Sequence, residues 1–152
     1  PGCGGEDFHL KHPSCAVMTC SRKHGGIEFC FQCTEYPCKR YSKPSKVDSF
    51  ISYQNVPEDM KRAKADLKGY LAGLDEKVGI LEYLIKNHND GKRKGFYCLC
   101  ANLLPLEDLK DILSRAKALD RKRLDVKERA RLIAEMFEEK AKMRKVKLEL
   151  RK

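Results

Sequence analysis

Six of the eight cysteines fall within the first 38 residues: Cys3, Cys15, Cys20, Cys30, Cys33 and Cys38. From Cys15 to Cys38 they form a ladder, C-x4-C-x9-C-x2-C-x4-C. Cys30 and Cys33 are the informative pair. A two-residue gap lets a tight turn aim both sulfurs at one point, with main-chain N–H groups free to bond them, which is the common half-site of a structural zinc centre. A second pair must complete the tetrahedron. Cys15 and Cys20 are nearest, and "SRKHGG" is flexible enough to bring the two pairs together. Cys3 and Cys38 are then left for a second site, with His9, His12 or His24 or with ligands upstream of Pro1.

Three other chemistries use the same residues. Disulfides would staple the same loops, but a Lys/Glu-rich composition without a secretory signal points to a reducing cytoplasmic setting. A thioredoxin-like pair needs a βαβ setting, and none surrounds Cys30. An iron–sulfur cluster takes the same four thiolates and is the alternative to zinc. The remaining cysteines, Cys98 and Cys100, stand among Phe96, Tyr97, Leu99 and Leu103, where free cysteine packs as a small apolar residue.

The elements that must position these thiols are few. Gly4, Gly5, Pro13, Gly25, Gly26 and Pro37 interrupt the first 38 residues, which carry no long helical period. So short a loop-rich module cannot bury a core of its own and needs staples. The fold expected is therefore α plus irregular: a small metal-stapled module over residues 1–42, a polar linker over 43–56, and a helical region of four to five helices over 57–152, packed on the module. Pro57, Glu58 and Asp59 read as a helix start, with the helix running to about Ala72 and broken at Gly73. A second helix is expected from about Asp75 to His88, ended by "NHNDG" with Gly91 as the stop. "KGFYCLCANLL" reads as a strand, a buried turn or a helix start. Pro105 opens a helix with an inner stripe of Leu106, Leu109, Ile112, Leu113, Ala116 and Leu119. Asp125 caps the last helix, lined by Val126, Ala130, Ile133, Phe137 and Ala141. The end, "KVKLELRK", reads as a short strand or a frayed helix end.

The formal charge is +10 and charged residues make up 36% of the chain, which favours nucleic acid or an acidic protein surface as partner. Lys39, Arg40 and Lys43 begin a basic strap, and Lys92, Arg93 and Lys94 sit on one loop; both could contact phosphates. Seven bases against two acids in residues 139–152 give a third basic stretch, and Tyr36, Tyr41 and Tyr53 could stack bases beside the strap. No P-loop, H-E-x-x-H, G-x-S-x-G or G-x-G-x-x-G occurs, so no enzyme class is indicated. No apolar run reaches the roughly 18 residues that a membrane-spanning helix needs.

"CAVMTCSRKHGGIEFCFQCTEYPCKR" resembles the signature of a cysteine-rich prokaryotic family catalogued as domain of unknown function 3795. Cys15, Cys20, Cys30, Cys33 and Pro37-Cys38 match its ladder. "PGCGG" resembles the end of an upstream C-x-G-C element, whose first cysteines this chain lacks. "NDGKRKGFYCLCANLLPLEDL" resembles a further segment found in some members, carrying the likeness to about residue 110. The resemblance implies a zinc-binding protein of archaea or anaerobic bacteria and implies no activity.

Overall fold

The structure, a computed structural model, describes residues 16–42 and 55–149, with Tyr41 and Ser42 described in backbone only. Cys3, Cys15, His9, His12, Lys43 and Tyr53 lie outside the described residues, as does most of the expected linker. The chain divides into two compact units, Pro1–Ser45 and Lys46–Lys152. The first holds α1 (Ala16–Lys23), a 3-10 turn (Cys30–Gln32) and α2 (Lys39–Ser42). The second holds α3 (Val56–Ala65), α4 (Leu67–His88), α5 (Lys94–Leu103), α6 (Leu106–Asp120) and α7 (Val126–Arg144). Among the described residues the fold is helical throughout, and no strand occurs.

The helix break expected at Gly73 falls instead at Asp66. Asp66 is extended (φ −149°, ψ 91°), and its carboxylate accepts from the Gly69 N–H at 2.9 Å, which caps α4. A capped end stops a helix more firmly than an interior glycine, which costs only about 1 kcal/mol relative to alanine. Gly73 therefore stays inside the 22-residue α4, where a Cβ would meet only Leu106 at van der Waals distance.

"KGFYCLCANLL" is a helix over most of its length, and this separates its two cysteines. Residues two apart face the same side of a strand, but in a helix they lie about 200° apart. Cys100 is accordingly buried in the core, whereas Cys98 is exposed, contrary to the core role expected for both. The open carbonyls at the end of α5 are met from α4: the Lys77 ammonium donates to Ala101 O at 3.1 Å and to Leu104 O at 2.7 Å. Asn55 Nδ2 reaches Asn102 O and Leu103 O, each at 3.3 Å, just before α3 begins.

The core of the second unit joins Ile80 and Leu84 of α4, Tyr97 and Cys100 of α5, Leu109, Ile112, Ala116 and Leu119 of α6, and Ile133, Phe137 and Ala141 of α7. Phe96 meets the Phe137 ring edge-on with centroids 6.0 Å apart, a favoured aromatic geometry. The inner stripe expected of α6 is buried at Leu109, Ile112, Ala116 and Leu119, with Leu106 and Leu113 packed at its margin. The Asp125 cap on α7 is also present, accepting from Glu128 N at 2.8 Å. The described part of the "KVKLELRK" end, residues 145–149, is not a strand. Lys145 turns left-handed (φ 55°) and donates to Lys142 O, while Val146 N donates to Ala141 O at 2.9 Å, the paired bonds of a Schellman stop. Leu148 then folds back against the core.

Candidate metal centre

In the first unit, the glycines of "HGG" turn the chain back between Cys20 and Cys30. Gly25 (φ 84°) and Gly26 (φ 72°) take conformations that side-chain-bearing residues rarely adopt, so the chain reverses straight after α1. Gly26 N donates to Ser21 O at 2.9 Å, and the Ser21 hydroxyl donates to Ile27 O, holding the returning strand of chain against α1. Gln32 Oε1 accepts from Glu28 N and Phe29 N and steadies the approach to the 3-10 turn. Cys33 N closes that turn on Cys30 O at 3.1 Å. Glu35 N then donates to Cys33 Sγ at 3.4 Å, the N–H to sulfur bond expected of a two-residue cysteine knuckle. The Tyr36–Pro37 peptide, just before Cys38, is cis.

The result is a small cavity lined by Cys20, Cys30, Cys33, Cys38 and His24, with Tyr36 on its wall. His24 Nδ1 lies 3.7 Å from Cys33 Sγ. Cys38, expected at a second site, lines the same cavity as the Cys30–Cys33 pair. All four cysteines are free thiols, half-buried. Among the described residues no group of three or more His, Cys, Asp or Glu side chains stands arranged to hold an ion. The donors nevertheless fit a metal in kind. Thiols and an imidazole are the donor types that zinc or an iron–sulfur cluster takes.

Residues 1–43 match the family model described as Protein of unknown function (DUF3795). The DUF3795 match thus covers the cysteine ladder and stops before the helical unit, so the likeness read into residues 89–109 lies outside it. No curated protein and no solved structure matches the chain.

The bases singled out for nucleic acid fall in both units. Lys39 and Arg40 are exposed on α2 at the end of the DUF3795 segment, and Arg40 reaches the cavity rim. Lys92 and Lys94 are exposed, but Arg93 is half-buried and pairs with Asp90 at 3.3 Å. The basic C-terminal stretch is partly engaged within the second unit. Lys140 stands 2.9 Å from Asp111, and Arg144 donates to Glu107 and to the buried Asp108. Among the described residues no helix is long and apolar enough to cross a membrane.

One polar cluster escaped the sequence reading. His88, the last residue of α4, is fully buried, and neither ring nitrogen has a hydrogen-bond partner. Its Nε2 stands 3.4 Å from Asp120 Oδ1 at the end of α6. Asp120 also accepts from the Tyr83 hydroxyl and from Arg129 Nη1 of α7, the latter at 3.2 Å. Burial holds the His88 imidazole below its ordinary value, opposed by Asp120 and reinforced by Arg129. Burial first, then the hydrogen bond to Asp120, pushes the Tyr83 phenol up to about 12. The spacing Ile80, Leu84, His88 places the histidine on the core face and was the available signal.

Proposed function

We propose that the first unit is a structural zinc module and that the protein acts as a binding or adaptor module for nucleic acid or a protein partner. The observation that carries the metal reading is the convergence of Cys20, Cys30, Cys33 and Cys38 on one cavity, inside the segment that matches DUF3795. In this reading Cys20, Cys30 and Cys33 supply three ligands. The cavity supports Cys38 as the fourth, where ladder spacing alone points to Cys15, and Cys3 belongs to a further site. Zinc would supply no reaction chemistry here. It would replace the core that the segment lacks, so that metal binding contributes folding free energy directly. The exposed Lys39 and Arg40 beside the centre, together with the net charge of +10, support a polyanionic partner.

Elemental analysis of the full chain tests the metal. The expected result is at least one zinc per chain, with content lost in Cys30→Ser and in Cys38→Ser. A chain with less than one metal and every thiol titratable overturns the reading. If Cys15→Ser loses zinc while Cys38→Ser keeps it, the fourth ligand is reassigned to Cys15. Filter binding across a salt series tests the partner. Binding to RNA or DNA that weakens steeply with salt supports it, and absent or salt-insensitive binding removes nucleic acid as the partner.

The same four thiols support a second reading, an iron–sulfur or thiol redox protein. A brown colour and visible absorption in anaerobic preparations would favour it, whereas a colourless zinc protein removes it.

A further inference from the structure

α4 carries two apolar faces, and the protein's own core covers only one of them fully. Gly73, Lys77, Ile80, Leu84 and His88 turn toward the other helices. A second row, Leu67, Leu71, Leu74, Val78, Leu81 and Ile85, is spaced alternately by four and three residues over the whole helix. That is the a/d spacing of a coiled-coil seam. Its upper members, Leu81 and Ile85, pack partly against the core. Its middle does not: Leu71 and Leu74 are each 39% exposed and Val78 is 53% exposed. The flanking positions are equally asymmetric. On one side Tyr70, Lys77 and Leu84 are half or fully buried in the unit, and Lys77 is bound to the end of α5. On the other side Lys68, Asp75 and Glu82 are exposed, and no ion pair is formed by any of them among the described residues.

We propose that this seam is a self-association surface, on which α4 of a second copy of the chain packs antiparallel about a two-fold axis. The register that pairs all six seam residues places Leu67 against Ile85, Leu71 against Leu81 and Leu74 against Val78 of the other copy. In an antiparallel pair, flanking residues on the same side of each helix meet. This register sets Lys68 against Glu82 of the second copy, and the symmetry repeats the pair. Asp75 meets its own equivalent near the axis. Two attractive contacts thus flank one repulsive contact, a self-complementary pattern that a seam built only for the chain's own packing does not require. The exposed area is small, so the dimer belongs to the weak class, below about 1,200 Å² of total buried surface.

Sedimentation equilibrium of the full chain at low salt tests this, at concentrations on the order of micromolar to hundreds of micromolar. The expected result is a reversible monomer–dimer equilibrium that Val78→Glu abolishes. Lys68→Glu and Glu82→Lys should each weaken dimerisation about tenfold, since each turns two attractive contacts repulsive. The Lys68→Glu/Glu82→Lys double variant should recover it, and Asp75→Asn should tighten it. These positions are exposed, and unchanged thermal melts of the variants' monomers verify that they fold. A chain that stays monomeric throughout overturns the proposal. So does a dimer indifferent to Val78→Glu or to the charge swap. A monomer that Val78→Glu destabilises would place a segment of the same chain on the seam and equally exclude the dimer.

Discussion

The Tyr97 hydroxyl donates a 2.9 Å hydrogen bond to the main-chain carbonyl of His88, tying the middle of α5 to the last turn of α4. Both side chains are fully buried. The bond thus serves a helix-end carbonyl that neither water nor the next turn can reach. Burial pushes the Tyr97 phenol up to about 12, so it remains a donor across the working pH range. Tyr97→Phe keeps the ring packing against Phe137 but leaves that carbonyl unsatisfied. The expected loss is about 1–3 kcal/mol in urea unfolding with an unchanged m value. An unchanged midpoint would show that the carbonyl finds another donor.

His88, one bond away, makes stability depend on pH. Its pKa in the folded protein lies below the ordinary 6.5, because burial disfavours the imidazolium more than Asp120 favours it. The facing groups are Tyr83 of α4, Asp120 of α6 and Arg129 of α7. On acidification the unfolded chain takes up the proton first. Stability is therefore full above about 6.5 and falls as pH drops toward the folded value, by up to about 1.4 kcal/mol per pH unit. His88→Leu should flatten this part of the profile in paired melts at pH 7.5 and 5.5, while other groups titrate alike in both proteins. Equal slopes for the two proteins would refute it.

Much of the helical unit was legible because its signals are local and repeated. The α6 stripe and the Asp125 cap each depend on residues within a few positions of one another, whereas α4 ends at an extended Asn89 and not at the expected Gly91. The errors came where two local signals competed. Gly73 looked like a break because glycine is a poor helix former, yet Asp66 caps the following helix and Gly73 is carried within it. The apolar run at 94–103 has no period that separates strand from helix. Only its packing against α4 and α7 decides, and with it the opposite fates of Cys98 and Cys100. In the first unit the knuckle spacing was readable at Cys30 and Cys33. The placement of Cys38 was not, because it depends on the reversal at Gly25 and Gly26.

The Asp66 cap and Gly69 should be coupled. A Cβ at position 69 would collide with the Asp66 carboxylate, which is flexible but must leave its capping position to make room. Asp66→Ala alone should cost about 1 kcal/mol. Gly69→Ala alone gains helix propensity and loses the cap, so it should give no net stabilisation. In the Asp66→Ala background the collision is gone, and Gly69→Ala should then stabilise by about 0.5–1 kcal/mol. A double-mutant cycle measures this, and strict additivity would show that the cap survives the added methyl group.

Cys98 and Cys100 offer a test of the helix assignment that is independent of any metal. Burial raises the Cys100 thiol well above its ordinary range, so almost no thiolate forms there at neutral pH. Its side chain is also closed to solvent, whereas Cys98, two residues away, lies open. Iodoacetamide followed by peptide mapping should modify Cys98 in the folded chain and Cys100 only on unfolding. Cys98→Ser should be neutral within about 0.5 kcal/mol. Cys100→Ser should cost about 1–3 kcal/mol, because it puts a hydroxyl into the buried core cluster. Equal modification of both cysteines in the native protein would mean that they share a face, as in a strand, and that α5 is wrongly assigned.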